Sequence, residues 1–228
     1  MTNDSWANYL VDLAPGLWMS VRLTVGLLAI GVPVGVLLAV CSLQKSTVMR
    51  LLALTVVELG RGFPALVILY LIYFGLPQAD VSLTAFVSTV IGLGISFGAY
   101  TSDVFRAGLR AIPNGQTEAG LALGLSRATL FRRVLLPQAV KIVIPPLLGW
   151  SIVYFQATSL AYTLAVPELM SRAYTLATTN FRYLHMLAMA ALLYAAVSIP
   201  FSLLAEHLGR RSTRTATSQS LNPTTLMK

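Results

Sequence analysis

Apolar runs free of Asp, Glu, Lys and Arg recur five times along the chain, at residues 23–44, 62–79, 81–102, 142–166 and 186–205. They span 22, 18, 22, 25 and 20 residues, and roughly 20 helical residues cross the hydrocarbon core of a bilayer. The pattern predicts an all-α integral membrane protein with about five transmembrane helices. A soluble bundle with five buried helices is the alternative, and the length of the runs argues against it. Composition agrees: 56% of the 228 residues are hydrophobic and only 11% are charged. A soluble fold of this size would lack the polar residues to cover its surface.

The polar residues between the runs are unevenly charged, which orients the chain. Five spans put the termini on opposite sides. One side then holds Lys45, Arg50, Arg61, Arg106, Arg110, Arg127, Arg132, Arg133, Lys141, Arg210, Arg211, Arg214 and Lys228, against Arg22, Arg172 and Arg182 on the other, a split of 13 to 3. Cytoplasmic loops carry such an excess. The expected topology has the N-terminus outside and the C-terminus in the cytoplasm. Residues 1–209 read as one transmembrane domain, and the Ser/Thr-rich stretch 210–228 as a disordered cytoplasmic tail. The first 21 residues contain Asp4 and Asp12 but no Lys or Arg, unlike the basic start of a cleaved signal peptide.

Several chemistries find no support. The net charge of +8 is explained by topology, and no basic stripe interleaved with aromatics indicates a nucleic-acid partner. No GxxxxGK[ST] phosphate loop is present, and His185 and His207 lie too far apart in sequence for a metal motif. Cys41 lies in an apolar run, where packing is its simplest role.

One charged block interrupts this apolar chain: "EAGLALGLSRATLFRRVLLP", residues 118–137. Locally it predicts a short helix over 115–123, with Asn114 as its cap and Glu118 in the first turn, where the helix dipole favours an anion. Gly124 can take the left-handed conformation that ends such a helix. Ser126 then offers a cap for a second helix, and Pro137 bends or starts the membrane helix behind it. An amphipathic helix resting on lipid headgroups is the alternative reading of the same arginines.

The spacing Glu118-Ala119-Gly120, three residues, Gly124, nine residues, Val134, one residue, Leu136-Pro137 resembles the EAA loop of ABC importer permeases. Gly120 stands for the second alanine and Val134 for isoleucine. Further segments, in order, resemble the polar amino acid permease family: "GLWMSVRLTV", "VELGRGFPALV", "IYFGLP", "GAYTSDVFRAGL", "IPNGQTEA", "TSL" and "VPEL", over about residues 16–209. The resemblance implies an ABC importer permease fold in a bacterial inner membrane, paired with a second permease, identical or homologous. Two separate ATPase subunits would hold ATP and Mg, and this chain would bind no cofactor. An extracytoplasmic binding protein would deliver a polar amino acid or related small zwitterion. Glu118, Ala119, Gly120, Gly124 and Pro137 would form the coupling segment that docks on the ATPase. A subunit of this kind carries out no covalent chemistry.

Polar groups within spans are the remaining candidates. Ser96, Tyr100, Gln156, Thr158 and Ser159 are candidates for the solute pathway, with helix–helix hydrogen bonding as the alternative for each. Glu58 and Arg61, three residues apart, read as a structural ion pair or a gate, and Asp103 and Arg106 share the structural reading. The fourth run, through "FQATSLAYTLAVPEL", need not be one straight helix. Relatives of this type often carry a Lys-Asp pair before "TSL", where this chain has Gln156 and Ala157; an asparagine usual in the "PPLGN"-like block is Gly149 here. These departures bear on the solute: an opine or a sulfur-containing amino acid is the alternative cargo. A stand-alone secondary transporter would predict repeated halves or a membrane acid for ion coupling, and an intramembrane enzyme a catalytic cluster. The sequence shows neither.

Overall fold

The computed structural model describes residues 6–220. Helix α1 covers Trp6–Ser42 and α2 covers Thr47–Gly62. A break at Phe63-Pro64 leads to α3, Ala65–Tyr70, which continues as a π-helical turn and a 3-10 turn to Ala79. Helix α4 covers Ala85–Arg110, α5 Asn114–Ala122 and α6 Arg127–Leu130. A π-helical turn, Phe131–Leu135, joins α6 to α7, Leu136–Ala157, and a 3-10 stretch, Thr158–Leu164, follows. Helices α8, Leu169–Asn180, and α9, Tyr183–Ser220, complete the fold.

Four helical runs among the described residues are long and apolar enough to cross a membrane: Asn8–Ser42, Ala85–Arg110, Arg127–Leu164 and Tyr183–Gly209. The remaining predicted span, 62–79, falls in the segment Ala65–Ala79, which meets α2 at a bend of 103°, so that the two together make a fifth, broken candidate. Proline explains the break, because Pro64 has no amide to donate and disfavours helix in the residue before it. The fourth run, which the sequence did not require to be one straight helix, changes form: α7 gives way to the 3-10 stretch, which closes at Ala165 with φ 59°.

Two further boundaries differ from the sequence reading. Helix α1 starts well before residue 23 and carries Arg22 within it, the guanidinium lying 5.6 Å over the ring of Phe86. A long side chain can take such a partner without ending a helix. At the other end, α9 extends past the predicted run, to Ser220. Residues 210–220 contain no Gly or Pro to stop a helix already nucleated by the span. Residues 221–228 lie outside the described ones.

The tightest packing joins α1 to α4. A Cβ on Gly31 would lie 2.8 Å from the Gly94 carbonyl oxygen, and one on Gly98 would lie 3.0 Å from that of Gly31. Small residues four apart on both helices (Gly31 and Gly35, Gly94 and Gly98) let the backbones touch, the usual means of helix association where lipid removes the hydrophobic drive. The core behind them comprises Leu23, Leu27, Leu69, Leu93, Phe97 and Tyr154. Outward faces stay apolar, as with Leu192 at 69% and Val25 at 63% exposure. This fits a lipid surround.

Candidate functional site

Helix α5 is capped differently from the sequence prediction. Pro113 occupies the N-cap position and Asn114 is the first helical residue, with no side-chain cap at this end. Proline's fixed φ already suits a helix start, so the cap hydroxyl or amide is dispensable. The C-terminus follows the prediction. Gly124 has φ 74°, its amide donates to the Leu121 carbonyl at 3.0 Å, and Leu125 donates to Gly120 at 3.1 Å. This pair of bonds is a Schellman closure. No atom lies within 4 Å of a Cβ placed on Gly124, so backbone conformation alone demands glycine there.

Exposure divides the predicted coupling residues. Glu118, Ala119 and Pro137 are exposed, whereas Gly120 is buried. A Cβ on Gly120 would lie 2.3 Å from Cδ1 of Leu130 on α6. Gly120 therefore lets α5 fold back onto α6, and the outward surface consists of Glu118, Ala119, Leu121 and Leu123, the last 81% exposed. Ser126 caps α6 as predicted, accepting from the Thr129 amide at 3.3 Å. Pro137 sits in the first turn of α7.

The five pathway candidates do not form one cluster. Ser96 is buried, with its Oγ 2.8 Å from the Tyr154 hydroxyl of α7 and donating to the Gly60 carbonyl at 3.4 Å. Tyr100 donates to the Arg61 carbonyl at 3.3 Å and packs its ring against Trp150, centroids 4.7 Å apart. Gln156 instead donates to Ser198 on α9 at 3.3 Å. Tyr154 and Gln156 are two positions apart on α7, so they face opposite sides of it. Thr158 is buried and donates to its own helix at Phe155, while Ser159 is half-buried. An apolar groove of about 260 Å³ between α1, α7 and α9, walled by residues such as Leu28, Ile152 and Phe201, has no charged lining residue.

Charges gather at two places. Arg61 pairs with Glu58 at 2.5 Å and with Asp103 on α4, and Asp103 also takes Arg106. The two i,i+3 pairs were legible in sequence; their union through Asp103 was not. The second place was missed altogether. Glu168, in the "VPEL" segment, has no exposed surface. It accepts from the amides of Met170 at 2.8 Å and Ser171 at 2.7 Å, from the Tyr194 hydroxyl at 2.8 Å and from Ser20 at 3.4 Å. Burial pushes its carboxyl above the ordinary range, against the lowering effect of these donors. The only local signal was an acid at the first cap position of α8.

Comparison with known proteins gives this geometry its family. The binding-protein-dependent transport system inner membrane component family matches residues 31–214. The probable amino-acid ABC transporter permease PatM of Vibrio harveyi is 35% identical over 199 residues, covering 84% of this chain and 89% of its own. The L-cystine transport system permease TcyB of Bacillus subtilis is 32% identical over 203 residues, covering 89% and 87% respectively. A solved amino acid ABC transporter with histidines superposes with a TM-score of 0.83 at 32% identity, over 92% of this chain and 100% of that one. Since the family match runs from the first span into the last and takes in residues 118–137, the chain belongs to the inner membrane components of binding-protein-dependent transport systems, as the membrane-spanning permease subunit of an ABC importer.

Proposed function

We propose that this permease carries a net-neutral polar amino acid or a related small zwitterion. The observation that carries the reading is where the charges sit. The third, fourth and fifth runs contain no Asp, Glu, Lys or Arg. Of the acids that border them, Asp103 and Glu168 lie within the packed helices and are engaged by groups of this chain. A solute with a net charge would cross a low-dielectric path without an opposing charge, at heavy cost. A zwitterion asks only for donors, acceptors and aromatic faces. The half-buried Tyr100 and Trp150 rings offer aromatic faces; Gln156, turned to the other side of α7, is held by Ser198, and Ser96 and Thr158, fully buried, hold helices together. The similar proteins named for L-cystine and crystallised with histidines support an amino acid as the class.

Helix α5 is the coupling element in this reading. Its exposed Glu118, Ala119, Leu121 and Leu123 make a small apolar surface with one acid, suited to a groove on an ATPase subunit. Two such subunits hold ATP and Mg, a second permease completes the pathway, and a binding protein docks outside. The N-terminus lies outside and the C-terminus inside, as the basic residues indicate. Residues 1–209 form the membrane domain and lipid surrounds it. ATP-driven closure of the ATPases moves α5, and the helices rock between inward-open and outward-open states.

Uptake by the complex reconstituted in proteoliposomes tests both parts. Glutamine and other neutral amino acids should outcompete arginine and glutamate; the reverse order overturns the solute assignment. Glu118→Lys should abolish uptake and stimulated ATP hydrolysis without altering solute affinity of the binding protein. Survival of both activities reduces α5 to a surface helix.

A further inference from the structure

A helix broken at proline leaves carbonyls without the amides that would have continued it. At the elbow between α2 and α3 the last helical bond runs from the Phe63 amide to Leu59 at 3.1 Å. Pro64 cannot donate to the Gly60 carbonyl, and the bend turns the chain away from that of Arg61. Helix α4 takes up both. Ser96 donates to Gly60 at 3.4 Å and Tyr100 to Arg61 at 3.3 Å. With Ser96 donating there, Tyr154 of α7 supplies the hydrogen of the 2.8 Å bond to the Ser96 oxygen. One turn further along, Asp103 pairs with the Arg61 side chain. Ser96, Tyr100 and Asp103 are spaced four and three apart, so they form one stripe of α4 directed at one residue pair, Gly60-Arg61.

The two sides of the elbow differ. Gly60 is pressed on α4, where a Cβ would lie 2.6 Å from that of Ala99. Gly62 has no atom within 4 Å of its own Cβ position, so the chain has room to turn there. We propose that the Ser96–Tyr100–Asp103 stripe is a latch that positions the elbow, and that its release lets α3 swing about residues 62–64 during the transport step. Ser96 and Tyr100 are then positioning residues for alternating access. The inference rests on the importer reading above but does not depend on the solute. Both carbonyl bonds are long, and both acceptors are backbone groups that persist in either state. Such contacts can be made and broken in each cycle. Arg61 keeps Glu58 as a partner on its own helix when Asp103 lets go.

Spin labels at Met49 on α2 and Phe74 beyond α3, both exposed, read the elbow in the assembled complex carrying Cys41→Ala. The expected result is one label distance without nucleotide and another after trapping with ATP and vanadate. Tyr100→Phe, which keeps the ring on Trp150, combined with Ser96→Ala, should shift the nucleotide-free population about tenfold toward the trapped distance, as expected for two lost hydrogen bonds. Basal ATP hydrolysis should rise and its stimulation by loaded binding protein should fall. Equal distances in the two wild-type states overturn the proposal. So does a double variant with the resting distance and unchanged basal hydrolysis. A two-distance result in a complex that prefers a charged solute supports the latch and removes the solute assignment alone.

Discussion

Glu168 and Asp103 solve the same problem, an acid beside membrane helices, in opposite ways. Glu168 is fully buried, meets only neutral donors, and ties α1, α8 and α9 together through Ser20, the α8 amides and Tyr194. Asp103 keeps a third of its side-chain surface exposed and sits between two arginines. The first arrangement is costly to open, because every donor would be left unsatisfied in an apolar setting. The second is cheap to exchange, because water and a second carboxylate stand ready for the same arginine. One end of the molecule is pinned; the other can switch.

The largest expected effect separates the two acids by stability. Glu168→Ala should destabilise the detergent-solubilised protein by about 3 kcal/mol, by orphaning several buried donors. Asp103→Asn should cost about 1 kcal/mol or less, since exposed pairs are screened. Chemical unfolding of both variants measures the gap, and equal losses would erase the distinction. In uptake the ranking should invert for folded protein, with Asp103→Asn impairing transport more than its stability loss explains.

The pH dependence sharpens the contrast at a smaller scale. Burial raises the Glu168 carboxyl above its ordinary value near 4.5, so the folded protein holds this proton more tightly than the unfolded chain. The resulting stability is complete below the ordinary value and is lost as pH rises through the raised one. Wild type should thus lose stability relative to Glu168→Gln as pH climbs from about 4.5. Melting curves of both across that range give the check; parallel curves would mean the site does not titrate.

The smallest effect belongs to the proposed coupling helix, α5. Gly120→Ala should cost about 1 kcal/mol, because the clash falls on the mobile end of Leu130, which can shift. Gly124→Ala should cost a similar amount through its left-handed backbone. Unfolding alone will not tell them apart. A double variant of Gly120→Ala with Leu130→Ala should recover the clash term but not the lost packing, whereas no side-chain change should rescue Gly124→Ala.

Membrane residence, the number of apolar segments and the α5–Gly124–Ser126 turn could all be read from the chain. Each depends on neighbours close in sequence or on solvent: run length against bilayer thickness, glycine against a left-handed turn. The i,i+3 pairs Glu58–Arg61 and Asp103–Arg106 were legible for the same reason. The break at Pro64 and its angle were not read from the chain, where 62–79 passed as one span, since a proline only removes a bond and leaves direction to the helices packed around it. Gly120 shows the limit most sharply. Its small size was evident, yet only α6 folding back with Leu130 decides that it faces inward. Likewise Glu168 looked like an outer-loop acid until Ser20, 148 positions earlier, and Tyr194, 26 later, closed over it. Local sequence sets what a residue can do with its own turn of helix. Which partner it meets across the bundle is decided by packing, because the groups that satisfy a buried polar atom come from segments whose proximity no local pattern encodes.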